Sequence, residues 1–135
     1  MPNDTVVSLP DIAVMFVAGE RGKPIPEQAP GAFRKLEATL PSLKHRKFYG
    51  AAVGDEYRAC VAVDPGEEPS SLPHPAWTIP GGKYVRRRIP DWERNLHRIG
   101  PAFAELRARY EVDPSRPFIE HYRSQRELLL MVPVT

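Results

Sequence analysis

Lys47-Phe48-Tyr49-Gly50-Ala51-Ala52-Val53-Gly54 and Pro117-Phe118-Ile119-Glu120-His121-Tyr122-Arg123-Ser124 stand seventy positions apart, and the fold is read from this pair. Each stretch carries aromatic and β-branched residues in the pattern of a hairpin arm, and the first runs into a tight turn at Gly54-Asp55. The same offset lays Tyr57-Arg58-Ala59-Cys60-Val61 on Glu127-Leu128-Leu129-Leu130-Met131, so the two hairpins align without a gap. Strands are therefore predicted over 47–53 and 56–63, and again over 118–123 and 127–134.

What precedes each hairpin is also alike. Before the first, Val6-Val7-Ser8-Leu9 and Ile12-Ala13-Val14-Met15-Phe16-Val17 are strand-like, and Phe33, Leu36 and Leu40 recur at helical spacing, giving a short helix over 31–40. Before the second, a strand over 83–89 leads to Trp92, Leu96, Ile99, Phe103, Leu106 and Tyr110. Their alternating steps of four and three make one apolar helical stripe, which Gly100-Pro101 should kink or split. Between the two halves, Pro65, Pro69, Pro73 and Pro75 mark an extended linker, because proline removes a donor and restrains its predecessor. The order strand, helix, strand, strand thus occurs twice. The expected fold is α+β: one domain over 1–135, with half-modules of about 1–64 and 76–135 and a linker over 65–75. An internal duplication would place an antiparallel sheet, or two adjoining ones, about a pseudo-twofold with a ligand cleft between the halves. The alternative is two ordinary hairpins that align by accident.

Bulk properties fit this reading. At 135 residues and 41% hydrophobic content, the chain can bury the core of one globular domain. A net charge of +2 excludes a strong overall nucleic-acid footprint. Apolar runs such as 128–134 are too short to span a membrane, and Met1-Pro2-Asn3-Asp4 lacks the regions of a signal peptide. A single cysteine, Cys60, cannot form an intramolecular disulfide and fits a reducing compartment. A cytoplasmic location is expected, with no partner among nucleic acids or membranes; the oligomeric state is left open.

Glu120 is the residue that invites chemistry. It sits in an otherwise apolar strand, and alternation puts Phe118, Glu120 and Tyr122 on one face. Its offset counterpart is Gly50, so a small group would face a carboxylate flanked by aromatics. A buried carboxylate needs a cation, a donor or a raised pKa. A ligand could be that partner; so could Arg123 or Arg86, which would make Glu120 structural. Trp77, Tyr84, Trp92, Tyr57 and Tyr122 could wall an apolar pocket for flat or cationic ligands, although Trp92 and Tyr110 lie on the helical stripe and are expected in the core. Pro80-Gly81-Gly82-Lys83 lacks phosphate-loop spacing and reads as a turn into the Tyr84 strand. Lys83, Arg86, Arg87 and Arg88 are the dense basic run; Arg86 and Arg88 share a face, and the run reads as a solvated sheet edge or an anion site. His45, His74, His97 and His121 form no metal-ligand spacing, so neither metal nor cofactor is expected. Cys60 reads as a small buried hydrophobe, matched by offset to Leu130, and no nucleophile elbow occurs.

Taken together, Phe33-x-x-Leu36, Phe48-Tyr49-Gly50 with Glu56-Tyr57-Arg58, Ile79-Pro80-Gly81-Gly82-Lys83-Tyr84, Phe118-Ile119-Glu120-His121-Tyr122 and Val132-Pro133-Val134 resemble a GyrI-like domain, the effector-binding domain of multidrug-sensing bacterial transcription activators. The resemblance covers nearly the whole chain. It implies duplicated strand-helix-strand-strand modules with a cleft between them. It also implies that Glu120 is the cleft acid that meets cationic, lipophilic compounds, with Tyr84 and Tyr122 at aromatic positions of the cleft and Trp77 near them. The activators carry a helix-turn-helix domain that this chain lacks, so a stand-alone form is expected. Stand-alone relatives include an inhibitor of DNA gyrase and hydrolases that open strained electrophilic rings.

Three functions follow as expectations. The first is capture of a small lipophilic, neutral or cationic molecule around Glu120, with Tyr122, Phe118, Tyr84, Trp77, Tyr57 and Gly50 about it. The second is hydrolysis of an electrophilic toxin, with Glu120 as general acid or base and Tyr84 as the donor. The third is inhibition of a protein partner such as gyrase, disfavoured by a charge that does not mimic acidic DNA.

Overall fold

The computed structural model describes residues 4–68 and 72–135. In chain order the elements are β1 (Thr5–Leu9), β2 (Ile12–Ala18), α1 (Ile25–Ala38), β3 (Phe48–Val53), β4 (Glu56–Ala62), β5 (Ala76–Ile79), β6 (Gly82–Pro90), α2 (Ile99–Arg109), β7 (Phe118–Tyr122) and β8 (Glu127–Pro133). The strands form one antiparallel sheet ordered β1-β6-β8-β7-β3-β4-β2-β5, curled into a half barrel. The fold is α+β, with the first arms of the two hairpins, β3 and β7, side by side at the sheet centre.

One face of the sheet packs on the helices. Leu36 and Ala32 of α1 meet Met15, Tyr57, Ala59 and Val61, while Leu106 and Ala102 of α2 meet Val85, Leu128, Leu130 and Val132. Among the described residues no helix covers the other face, yet Val14, Ile79, Tyr84, Ile119 and Met131 are buried together there. Only the curl can cover them, by bringing β2 and β5 over β6 and β8. Two short links hold the curl closed. Pro10-Asp11 carries the chain from one end of the sheet toward the other, and Pro80-Gly81 carries it back. They meet where the Gly81 amide donates to Asp11 Oδ1 at 2.7 Å, and a Cβ on Gly81 would fall 2.5 Å from the Leu9 carbonyl oxygen. The expected turn at Pro80-Gly81 therefore has a second job, as a crossing point where only glycine fits.

Several expectations are corrected. Helix α1 starts at Ile25, six residues before the expected 31: Pro26 lies in its first turn, where a missing amide hydrogen costs little, and Pro30 is carried inside the helix, where it gives up one backbone hydrogen bond. Gln28 then docks the helix: its amide donates to the carbonyls of Lys23 and Asp55, and its oxygen accepts from the Tyr57 amide. The second helix is confined to Ile99–Arg109, and two short 3-10 turns at Trp92–Arg94 and Leu96–Arg98 replace its expected first half. Pro101 thus lies in a first turn rather than at a kink, and Leu96 is 59% exposed instead of core. The end of the linker feeds directly into β5, which the proline content concealed; its residues 69–71 lie outside the described residues.

The basic run is not on a sheet edge. β6 lies between β1 and β8, so its charges are managed individually. Arg87 points to the helix side and is buried in a bidentate pair with Asp4 at 2.7 and 3.0 Å, reaching Glu105 at 3.1 Å. Arg88 pairs with Glu127.

The seventy-residue step reappears in the pairing. Val6 pairs with Val85 and Ala76 with Met15, and the two pairs are related by steps of seventy, from 6 to 76 and from 15 to 85. Gly50 and Glu120, offset partners in sequence, are also cross-strand neighbours. The second hairpin departs from the gapless alignment by one residue: Ala52 pairs with Tyr57, but Tyr122 pairs with Leu128, because the β7–β8 loop is one residue longer. Cys60 therefore stands at the position of Met131, not Leu130.

Candidate functional site

Glu120 lies on the helix face of β7, where the floor of a cavity of about 650 Å³ is formed by Gly50, Ala52, Phe118 and Glu120. Ile25 and Pro26 of α1 form one wall, and Phe103 and Arg107 of α2 the other. The carboxylate reaches this floor because its neighbour on β3 has no side chain. A Cβ on Gly50 would fall 1.9 Å from Tyr57 Oη and 2.7 Å from Glu120 Oε1. Tyr57, rooted on β4, uses that gap to pass over β3 and donate its hydroxyl hydrogen to Glu120 Oε1 at 2.8 Å. Tyr122, two residues along β7, donates to the same oxygen at 2.8 Å, and the two hydroxyl oxygens are 3.3 Å apart.

Both donors thus serve one carboxylate oxygen. Among the described residues Glu120 has no ion pair, and the cations expected to offer a structural explanation are elsewhere: Arg123 pairs with Glu127, and Arg86 is on the opposite face. Burial pushes the Glu120 carboxyl above its ordinary value, with the two tyrosine hydroxyls pulling it back. Burial, reinforced by the nearby carboxylate, pushes both tyrosines well up, so they remain protonated donors. The result is an acceptor-rich, desolvated group opening onto an apolar cavity.

Rings surround it. Phe33 of α1 stands edge-on to Tyr122 at 5.2 Å and to Tyr57 at 6.1 Å, and Trp92 is edge-on to Tyr122 at 5.1 Å. Phe103 lies 5.5 Å from Phe118. Such faces suit flat or cationic guests.

Of the residues singled out in the sequence, Glu120, Gly50, Tyr57, Tyr122 and Phe118 come together here. Tyr84 and Trp77 do not. Tyr84 is fully buried on the opposite face, its hydroxyl donating to the Pro80 carbonyl at 2.6 Å. Trp77 packs on the same far face, edge-on to Phe16 with the Arg58 guanidinium over both rings. Neither can donate to a molecule beside Glu120; the tyrosines placed to do so are Tyr57 and Tyr122. The sequence offers Trp92 as pocket wall or core and shows Phe33 and Phe103 only as helical apolar positions; of the three, Phe103 lines the cavity, while Phe33 and Trp92 pack on the Tyr122 that holds Glu120. Cys60 is buried and its thiol is pushed up to about 12, chiefly by burial with Arg58 opposing, so it is a packing residue. Among the described residues no cluster of three or more His, Cys, Asp or Glu could hold a metal, and no helix is long and apolar enough to cross a membrane.

No family model and no curated protein matches the chain. Solved structures of similar shape do exist. An integron cassette protein from Vibrio cholerae is 13% identical, with 98% of this chain and 95% of that one covered and a TM-score of 0.71. A candidate bacterial transcription regulation protein from Staphylococcus aureus MU50 is 11% identical, with 98% of each chain covered and a TM-score of 0.64. SAV2435, bound to tetraphenylphosphonium, is 13% identical, with 98% and 94% covered and a TM-score of 0.59. At such identities the likeness shows the fold, and the three together are consistent with the GyrI-like fold that the sequence resembles.

Proposed function

We propose that this chain is a GyrI-like ligand-binding domain that captures a small lipophilic cation in the cavity over Glu120. One observation carries the reading: a desolvated carboxylate with both hydrogen bonds on one oxygen and, among the described residues, no ion pair, at the floor of a space lined by Tyr57, Phe103 and Phe118. A charge that has lost water is costly to keep unpaired, and a bound cation repays that cost while the rings cover its apolar body. The tetraphenylphosphonium carried by a protein of similar fold supports this ligand class. We read β2–α1–β3–β4 and β6–α2–β7–β8 as two copies of one module, a reading supported by the seventy-residue step in the pairing of β1, β2, β5 and β6. It explains why the site lies where the two copies abut, at Gly50 and Glu120.

The test is a calorimetric titration with tetraphenylphosphonium and with neutral triphenylphosphine oxide, on wild type and Glu120→Gln. The cation should bind the variant about 10- to 100-fold more weakly, the equivalent of about 1.5–3 kcal/mol for a charge-assisted contact, and the neutral compound should lose less. Equal loss for both compounds would assign the carboxylate a structural role. Catalytic turnover of an epoxide or aziridine, abolished by Glu120→Gln, would instead favour hydrolysis, with Glu120 as base and Tyr57 or Tyr122 as donor.

A further inference from the structure

The inner face of the curl, opposite Glu120, holds a second cavity of about 540 Å³. It exists because the two ends of the sheet are filled differently. On one side Trp77 and Phe16 pack edge to face at 6.1 Å, and Arg58 lies 4.6 and 4.4 Å from their respective ring centres. In the pairing pattern the corresponding positions on the other side are Val7, Arg86 and Leu129. The paired rings are gone there, and the cavity opens beside Arg86 and Leu129.

Its chemistry is uneven. Leu129, Met131 and Tyr49 make an apolar floor, on which the His121 ring stacks against Tyr49 at 4.5 Å and 23°. Lys47, Arg86 and Arg123 stand around it, against one acid, Asp11, which already accepts the Gly81 amide. Arg123 is paired with Glu127, but among the described residues neither Lys47 nor Arg86 has an acidic partner. His121 reports the local field: burial first, then Lys47, Arg123 and Arg86, push it down to about 4, so the ring is neutral at ordinary pH. Two uncommitted cations above an apolar floor form an anion site with a lipophilic base.

We propose that this inner-face cavity is a second ligand site, selective for a small amphiphilic anion whose charged head meets Arg86 and Lys47 while its apolar body lies on Leu129, Met131 and the Tyr49–His121 stack. It has the opposite charge preference to the Glu120 cavity and lies on the other side of the sheet. The basic run that the sequence displays at 86–88 is thereby divided: Arg87 and Arg88 are bound to acids of the chain, and Arg86 is left for a guest.

The probe is 1-anilinonaphthalene-8-sulfonate, followed by fluorescence, beside its neutral counterpart N-phenyl-1-naphthylamine. Wild type should bind the sulfonate at a single saturable site, more tightly than the neutral amine and less tightly as salt is raised. The double variant Arg86→Gln, Lys47→Gln should bind it about tenfold or more weakly, and Arg86→Lys should retain most of the affinity. Glu120→Gln should leave sulfonate binding unchanged, and tetraphenylphosphonium should not displace the probe. Lys47 is exposed, so Lys47→Gln alone supplies a variant with no folding burden. Unchanged sulfonate affinity in the double variant, equal binding of the neutral amine, or displacement by tetraphenylphosphonium would each overturn the proposal. None of these depends on whether the Glu120 cavity binds cations.

Discussion

Gly50→Ala is the smallest change that should disable the Glu120 site. The added methyl would fall 1.9 Å from Tyr57 Oη, 2.6 Å from its Cζ and 2.7 Å from Glu120 Oε1. None of these atoms can retreat easily. The Tyr57 ring is 3% exposed and wedged beneath Phe33, and the carboxylate is tied to Tyr122. Overpacking of this kind costs about 1–3 kcal/mol. Losing the Tyr57 bond to a buried carboxylate adds about 1.5–3 kcal/mol. Replacing glycine within a strand returns about 0.5–1 kcal/mol. The net expectation is a loss of about 3 kcal/mol, a large share of the stability of about 5–15 kcal/mol usual for a domain. Urea unfolding followed by tryptophan fluorescence measures it, and the same samples should show weakened tetraphenylphosphonium binding. In a Tyr57→Phe background the nearest clashing atom is absent, so the added methyl should cost about 1 kcal/mol less there. A Gly50→Ala protein within about 0.5 kcal/mol of wild type, or strictly additive behaviour with Tyr57→Phe, would refute the geometry on which the site rests.

The remaining expectations concern charge. Without ligand, Glu120→Gln should be as stable as wild type or more so, because it keeps an acceptor for both tyrosines and removes a desolvated charge; a loss above about 2 kcal/mol in denaturant melts would contradict this. The folded carboxyl ionises at higher pH than the unfolded one, so wild type should lose stability as pH rises from the ordinary value of 4.5 through the folded value, and Glu120→Gln should not; parallel pH profiles would contradict the assignment. Arg87→Ala should cost about 3–5 kcal/mol by stranding Asp4, toward the lower end because Arg109 remains 3.6 Å away. Asp4 is held below its ordinary value of 3.8, first by its hydrogen bond from Arg87, so the pair's contribution is present above that value and fades as pH falls through the lower, folded one. Acid melts of wild type and Arg87→Ala should converge there.

Local pattern alone carries much of this molecule. Period-two alternation is a property of the strand itself, so the two hairpins, the shared face of Phe118, Glu120 and Tyr122, and the oddity of a carboxylate among apolar residues are all legible without any partner. Gly50 and Glu120, seventy positions apart in the sequence, are cross-strand neighbours in the fold. Alternation does not say which face of one strand continues into which face of another. That depends on long-range register, where a shift of one residue exchanges the two faces. Motif and aromatic character group Tyr84 and Trp77 with Glu120, but the pairing of β5 with β2 and of β6 with β8 puts them on the far side. The same register brings Tyr57 across β3 to Glu120. The helices add a wall that no local signal marks, since Phe103 looks the same in sequence whether a helix docks it into core or beside a cavity. The residues at risk of burial were written in the chain; only the curl of the sheet and the docking of two helices decided which of them were left facing empty space.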